Sequence, residues 1–215
     1  ANAVPIAHTA IWYLLALSRG AETWRDAQMR RAWERHDVAD LQGLTLGVVG
    51  LGPIGLEVAR IGAALRMRVI GVRRTPRGDE PCETWPLARL DELLAIADAV
   101  VLALPLSDAT QHLLDARRIA SMRRGAWLVN VGRGALVEEP ALVAALETGH
   151  LGGAGLDVFE TEPLPAESPL WSLPNVIVTP HNSGDTPGNL VRATAIFLDN
   201  LARERRGAPL RNEVP

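Results

Sequence analysis

The chain has 215 residues, 47% of them hydrophobic and 22% charged, an ordinary composition for a soluble globular protein with room for one large domain, or one domain plus pieces of another. A net charge of −3 gives no reason to expect nucleic acid or an anionic membrane as partner, and all 22 basic residues are arginine, which excludes lysine-based catalysis. No apolar run reaches the roughly 20 residues of a membrane span, there is no basic signal-peptide start, and a lone cysteine, Cys82, makes neither an internal disulfide nor a thiolate zinc site, so a reducing, cytoplasmic setting without bound metal is expected.

In chain order, Ile6, Ala10, Ile11, Leu14, Leu15 and Leu17 repeat with helical period until Gly20 stops them. A second helix is expected over 22–36, carrying Trp24, Met29 and Trp33. A first strand at 44–49 runs into Gly50-Leu51-Gly52-Pro53-Ile54-Gly55, and Ile54, Val58, Ile61 and Leu65 continue with helical period. Strands are expected at 68–72, 99–104, 126–131, 151–159 and 175–179, and helices at 90–96, 113–122, 138–148 and about 186–206. Residues 81–86 read as loop, and a polar tail closes the chain. Apolar strands alternating with helices imply an α/β fold, a Rossmann-type doubly wound parallel sheet. The expected organisation is linking helices over 1–38, a dinucleotide-binding domain over 39–184, and a C-terminal helix and tail over 185–215.

Strand, glycine turn and helix together are the context in which Gly50-x-Gly52-x-x-Gly55 means dinucleotide binding. Gly50 allows the turn, Gly52 lets backbone approach a pyrophosphate, and Gly55 lets helix and strand pack closely. Pro53 removes an N–H that would be unpaired anyway, and the helix start offers its free N–H groups to the phosphates. Ligands of such sheets bind beyond the carboxyl ends of the strands, so the residues there are the candidates. Where an acid would bind the adenosine ribose stand Arg73 and Arg74, with Arg77 close by. Guanidinium groups pair with phosphate, so NADP is expected in preference to NAD; solvated loop charges are the plain alternative. Arg133, between Gly132 and Gly134, is suited to grip a carboxylate or to pair with a neighbouring acid. Glu162 and His181 each follow a strand, and a carboxylate holding an imidazole makes a general acid/base. His8, His36, His112 and His150 read as structural or solvated, and Cys82 has no nearby histidine to activate it.

The motifs Gly50-Leu51-Gly52-Pro53-Ile54-Gly55, Leu104-Pro105-Leu106-Ser107-Asp108-Ala109-Thr110, Asn130-Val131-Gly132-Arg133-Gly134, Asp157-Val158-Phe159-Glu160-Thr161-Glu162-Pro163 and Thr179-Pro180-His181 occur in this order. Together they resemble the D-isomer-specific 2-hydroxyacid dehydrogenases, particularly the glyoxylate/hydroxypyruvate reductase-like members. The resemblance implies that Arg133 binds the substrate carboxylate and carbonyl, that His181 exchanges the proton, and that Glu162 pairs with His181. It implies that Asp157 holds the nicotinamide carboxamide and that Leu104, Pro105 and Thr110 line the adenosine side. Val131, Gly132, Ser183 and Gly184 would pass near the nicotinamide. Its expected ligands are NADP or NAD and a small 2-hydroxy or 2-oxo acid, and its expected assembly is a homodimer through the nucleotide domain, with Trp12, Trp24 and Trp33 as contact candidates. Family members usually carry Asp at the position of Arg73, and an N-terminal half of the substrate domain ahead of the first helix; a fragment with impaired turnover is therefore expected. Formate- or phosphite-type dehydrogenases of the same family, and non-enzymatic dinucleotide-sensing corepressors, share these motifs.

Overall fold

The computed structural model describes residues 2–211; the end of the expected tail, 212–215, lies outside the described residues. The elements run α1 (Ala3–Arg19), α2 (Ala21–Arg30), β1 (Thr45–Val49), α3 (Pro53–Ala64), β2 (Arg68–Arg73), β3 (Glu83–Pro86), α4 (Leu90–Ile96), β4 (Ala99–Leu102), α5 (Ala116–Ser121), β5 (Trp127–Asn130), α6 (Glu139–Glu147), β6 (Gly153–Leu156), β7 (Val176–Val178) and α7 (Gly188–Glu204). The strands form one seven-stranded sheet in the order β3-β2-β1-β4-β5-β6-β7, every pairing parallel. Because β1 lies between β2 and β4, the winding reverses there, and the reversal opens a crevice beyond the strand ends.

Central strands are apolar on both faces because both faces are covered. Leu46, Val48, Val101 and Val129 pack with Ala10, Tyr13 and Leu14 of α1 and Val58 of α3. Val49, Val100, Leu102 and Leu128 turn the other way, onto Leu93 of α4, Ile119 of α5 and Leu142 of α6. The leading helix α1 is thus part of one covering layer. By contrast α7 has no buried residue, and its Leu190, Val191, Phe197 and Leu198 are more than half exposed.

Three expectations change. The second helix stops at Arg30 rather than residue 36: Arg31 takes a left-handed φ of 57°, and Ala27 is the only buried residue of α2, so no packing rewards a longer helix. Trp33 beyond it is 98% exposed. Residues 83–86, read as loop, form the edge strand β3 on β2. An edge tolerates Pro86 because no further strand needs its missing N–H. Trp85 anchors this edge, buried beneath the Arg89 guanidinium 3.7 Å from its ring. The helix expected at 113–122 is shorter because Asp115 caps it, accepting from the Arg118 N–H at 2.8 Å, while Leu114 pairs with Val137 instead.

Leu128, fully buried in β5, tests the sheet core. Leu128→Ala is expected to lower unfolding free energy by about 3 kcal/mol, read from the shift of a denaturant midpoint at unchanged slope.

Candidate active site

The first wall of the crevice is the turn between β1 and α3. Gly50 has φ 101°, and a Cβ on it would stand 2.8 Å from the Ala103 backbone. A Cβ on Gly55 would stand 1.9 Å from the Gly50 carbonyl oxygen. Gly55 therefore lies beneath the turn, whereas nothing stands within 4 Å of where a Gly52 Cβ would be. The α3 N-terminus has no side-chain cap and no acid in its first turn, leaving its positive end open towards this space.

Two cavities share Gly52, Leu104 and Pro105. One, of about 510 Å³, extends over Gly50, Arg73, Arg74 and Thr110. The other, of about 590 Å³, extends over Pro53, Ile54, Val131, Gly132, Arg133, Asp157, His181, Ser183 and Gly184. A continuous crevice with an open glycine backbone and an unneutralised helix start at its middle fits an elongated ligand with a central pyrophosphate.

At the first end, Arg73 is not free. Its guanidinium pairs with Glu80 at 2.9 Å, and Glu80 also accepts from the Arg77 and Gly78 N–H groups at 2.8 Å each. The Arg77 N–H, opposed by burial and helped by the Gly78 and Glu80 N–H groups and Arg73, brings the Glu80 carboxyl down to about 2. Glu80 lies seven residues beyond Arg73, and only the closed loop brings the two together. The side chains of Arg74 and Arg77 have no partner among the described residues and remain available to an anion.

At the second end, Asn130 folds back after β5, donating to the Arg133 carbonyl at 2.9 Å and accepting from the Gly132 N–H at 3.0 Å. This Asx-type staple holds the turn that presents Arg133. A Cβ on Gly134 would overlap the Phe159 backbone, so this turn abuts the loop carrying Glu162. His181, at a left-handed φ of 53°, donates from Nδ1 to the Glu162 carboxylate Oε2 at 2.7 Å, while the other Glu162 oxygen accepts from the Phe159 N–H at 3.0 Å. Burial raises the Glu162 carboxyl, but the His181 and Phe159 hydrogen bonds and the nearby His181 and Arg133 charges outweigh it and leave it below the ordinary range. The carboxylate therefore persists as pH falls through that range and is lost only when pH drops through the lowered value. Glu162 itself lines a third, largely apolar cavity of about 440 Å³ with Leu164, Trp171 and Val178, and His181 stands between that cavity and the crevice.

Asp157, 1% exposed, accepts from the Thr179 hydroxyl at 2.5 Å and from the Asn182 and Ser183 N–H groups at 3.1–3.3 Å. Among the described residues Oδ2 receives only the Ser183 bond, so this carboxylate, which lines the crevice, keeps acceptor capacity. Sequence reasoning missed Thr179 and Tyr13, whose hydroxyls lie 2.5 Å apart, because nothing local signals a contact across 166 residues. His112, read as structural or solvated, bonds to Glu160 at 2.7 Å beside the same loop. Among the described residues no cluster of His, Cys, Asp and Glu could hold a metal ion, and no helix is long and apolar enough to cross a membrane.

Residues 11–183 match the family model described as "D-isomer specific 2-hydroxyacid dehydrogenase, NAD binding domain". The chain is 40% identical over 206 residues to an (S)-sulfolactate dehydrogenase of Chromohalobacter salexigens, covering 94% of this chain and 67% of the relative. It is 42% identical over 178 residues to a glyoxylate/hydroxypyruvate reductase B of Citrobacter koseri, covering 81% and 55%. A solved NADPH-dependent glyoxylate/hydroxypyruvate reductase of Sinorhizobium meliloti, in complex with NADP and sulfate, superposes with a TM-score of 0.91 at 31% identity, covering 99% of this chain and 68% of that one. The chain spans between about half and two-thirds of the length of these relatives. With its Rossmann order, its glycine turn and this match over 173 residues, the chain belongs to the D-isomer specific 2-hydroxyacid dehydrogenase family and carries that family's NAD-binding domain.

Proposed function

We propose that the chain is the cofactor half of an NADP-preferring reductase of small 2-oxo acids such as glyoxylate or hydroxypyruvate. The supporting observation is the 2.7 Å pair of His181 and Glu162 beside Arg133, at one end of a crevice shaped for a dinucleotide. When bound, the nicotinamide supplies the hydride in the reducing direction. Arg133 grips the substrate carboxylate and draws charge from the 2-oxo group. His181 Nε2 donates the proton to the developing alkoxide while Glu162 holds the ring through Nδ1. Gly52 and the start of α3 receive the pyrophosphate, Asp157 accepts from the carboxamide, and Leu104, Pro105 and Thr110 border the adenosine. Arg74, with Arg77, reads the 2′-phosphate, and Arg73 acts indirectly by tying down the loop through Glu80.

Residues 1–38 and 185–215 then link this domain, over 39–184, to the rest of a substrate domain. The open apolar face of α7 supports that division, since such a face buries itself against another layer. The nucleotide domain by itself gives the cleft one wall, which does not exclude water, so turnover depends on a second wall over the reacting end. Trp12, Trp24, Met29 and Trp33, all at least 45% exposed, support a homodimer through the leading helices. The lone, half-buried Cys82 fits a cytoplasmic setting.

Arg74→Ala is expected to weaken NADPH binding about tenfold and leave NADH within about twofold, measured by calorimetry; equal losses would refute phosphate reading by Arg74. In the full-length enzyme, His181→Ala should lower kcat by about 100-fold or more with glyoxylate while NADPH affinity holds, and unchanged turnover would remove His181 as the acid. Trp33→Arg should shift the chain towards monomer in light scattering at fixed concentration; a dimer that persists would move the interface elsewhere.

A further inference from the structure

One buried titratable side chain has no part in that mechanism. Tyr13 of α1 is fully buried, yet its hydroxyl lies 2.5 Å from Thr179 Oγ1, two residues before His181. Thr179 has a single proton, and Asp157, which also accepts from the Asn182 and Ser183 N–H groups, receives it. The direction is therefore settled: Tyr13 donates to Thr179, and Thr179 donates to Asp157. Burial first, with the charge of Asp157 adding to it, holds the Tyr13 hydroxyl well above the ordinary range, opposed only by the Thr179 bond, so its proton is permanently in place. The packing beneath is built for this ring. Gly155 of β6 lies flat against Tyr13, and a Cβ there would stand 2.3 Å from the ring's Cγ.

We propose that Tyr13 is a positioning residue for the nicotinamide end of the crevice, acting through Thr179 to fix the Asp157 carboxylate and the turn that carries His181. The proposal rests on reading the crevice as a dinucleotide site. With the hydroxyl present, Thr179 is held from one side by α1 and has one rotamer that serves Asp157. Asp157, which lines the crevice, is in turn held by Thr179, Asn182 and Ser183, so its carboxylate keeps one position there. Without the hydroxyl, Thr179 keeps its proton but loses its anchor, and a half-buried acceptor loses its donor. At the adenosine end Thr110 bonds instead to Ser107 and Pro105, and among the described residues no hydrogen bond joins it to this chain.

The test compares NADPH with 2′,5′-ADP, which carries the phosphates of the adenosine end but no nicotinamide, by calorimetry on the 215-residue chain. Tyr13→Phe is expected to weaken NADPH about fivefold and leave 2′,5′-ADP within about twofold. Thr179→Val should weaken NADPH at least as much, Thr179→Ser should restore it, and adding Tyr13→Phe to Thr179→Val should cost nothing further. If Tyr13→Phe does not fold, the Val and Ser variants at Thr179 decide. NADPH affinity unchanged in the variants, equal losses for both ligands, or additive losses in the double variant would overturn the proposal. A wild-type chain that binds 2′,5′-ADP but not NADPH would overturn it as well, and one that binds neither would refute the dinucleotide reading itself.

Discussion

The α-carbon of Gly55 lies so close to the Gly50 carbonyl that a methyl group there would sit 1.9 Å from the oxygen. Because α3 starts against the end of β1, its first turn points over the sheet edge at the place where the winding reverses. In a wholly parallel sheet every strand ends on that same edge. The turns after β4, β5, β6 and β7 consequently reach one crevice, and groups more than a hundred residues apart become neighbours. A glycine in a tight packing position thus does more for the site than several of the residues that border it.

The two ends of the crevice are held by opposite electrostatic arrangements. At the Arg73 end an acid, Glu80, shapes the loop, and its ion pair with Arg73 leaves neighbouring guanidinium groups open to solvent. At the other end, beside Arg133, Asp157 is buried and held by three donors, and the partly exposed Glu162 is tied to the His181 imidazole and the Phe159 N–H. Positive charge is displayed where anions would arrive, and negative charge is withdrawn into hydrogen bonds. Arg133 stands between the two regimes, on a turn held by Asn130 and pressed against the Phe159 backbone.

Much of this was legible in the sequence because it is local. Apolar strands, glycine turns and helical period name themselves within a dozen residues, so β1, β4 and β5 fall within two residues of where the pattern places them. Parallel topology then brings the strand ends together without further information. The elements that resisted were those decided by distant partners. β3 is a strand only because β2 supplies a free edge, and α2 stops early because nothing covers it. Arg73 carries the right charge at the right place, but Glu80 decides what that charge does. The Tyr13–Thr179 bond joins the first helix to the last turn of the sheet, and no window of sequence contains both.

The bare face of α7 has a consequence for how the molecule breathes. A 17-residue helix with no buried side chain gains nothing from the sheet's cooperativity and is left with the marginal stability of an isolated helix. Its amides should exchange with solvent long before those of β1, β4 and β5, as a separate opening unit rather than with the global transition. An apolar neighbour laid along Leu190, Val191, Phe197 and Leu198 would merge the two units into one.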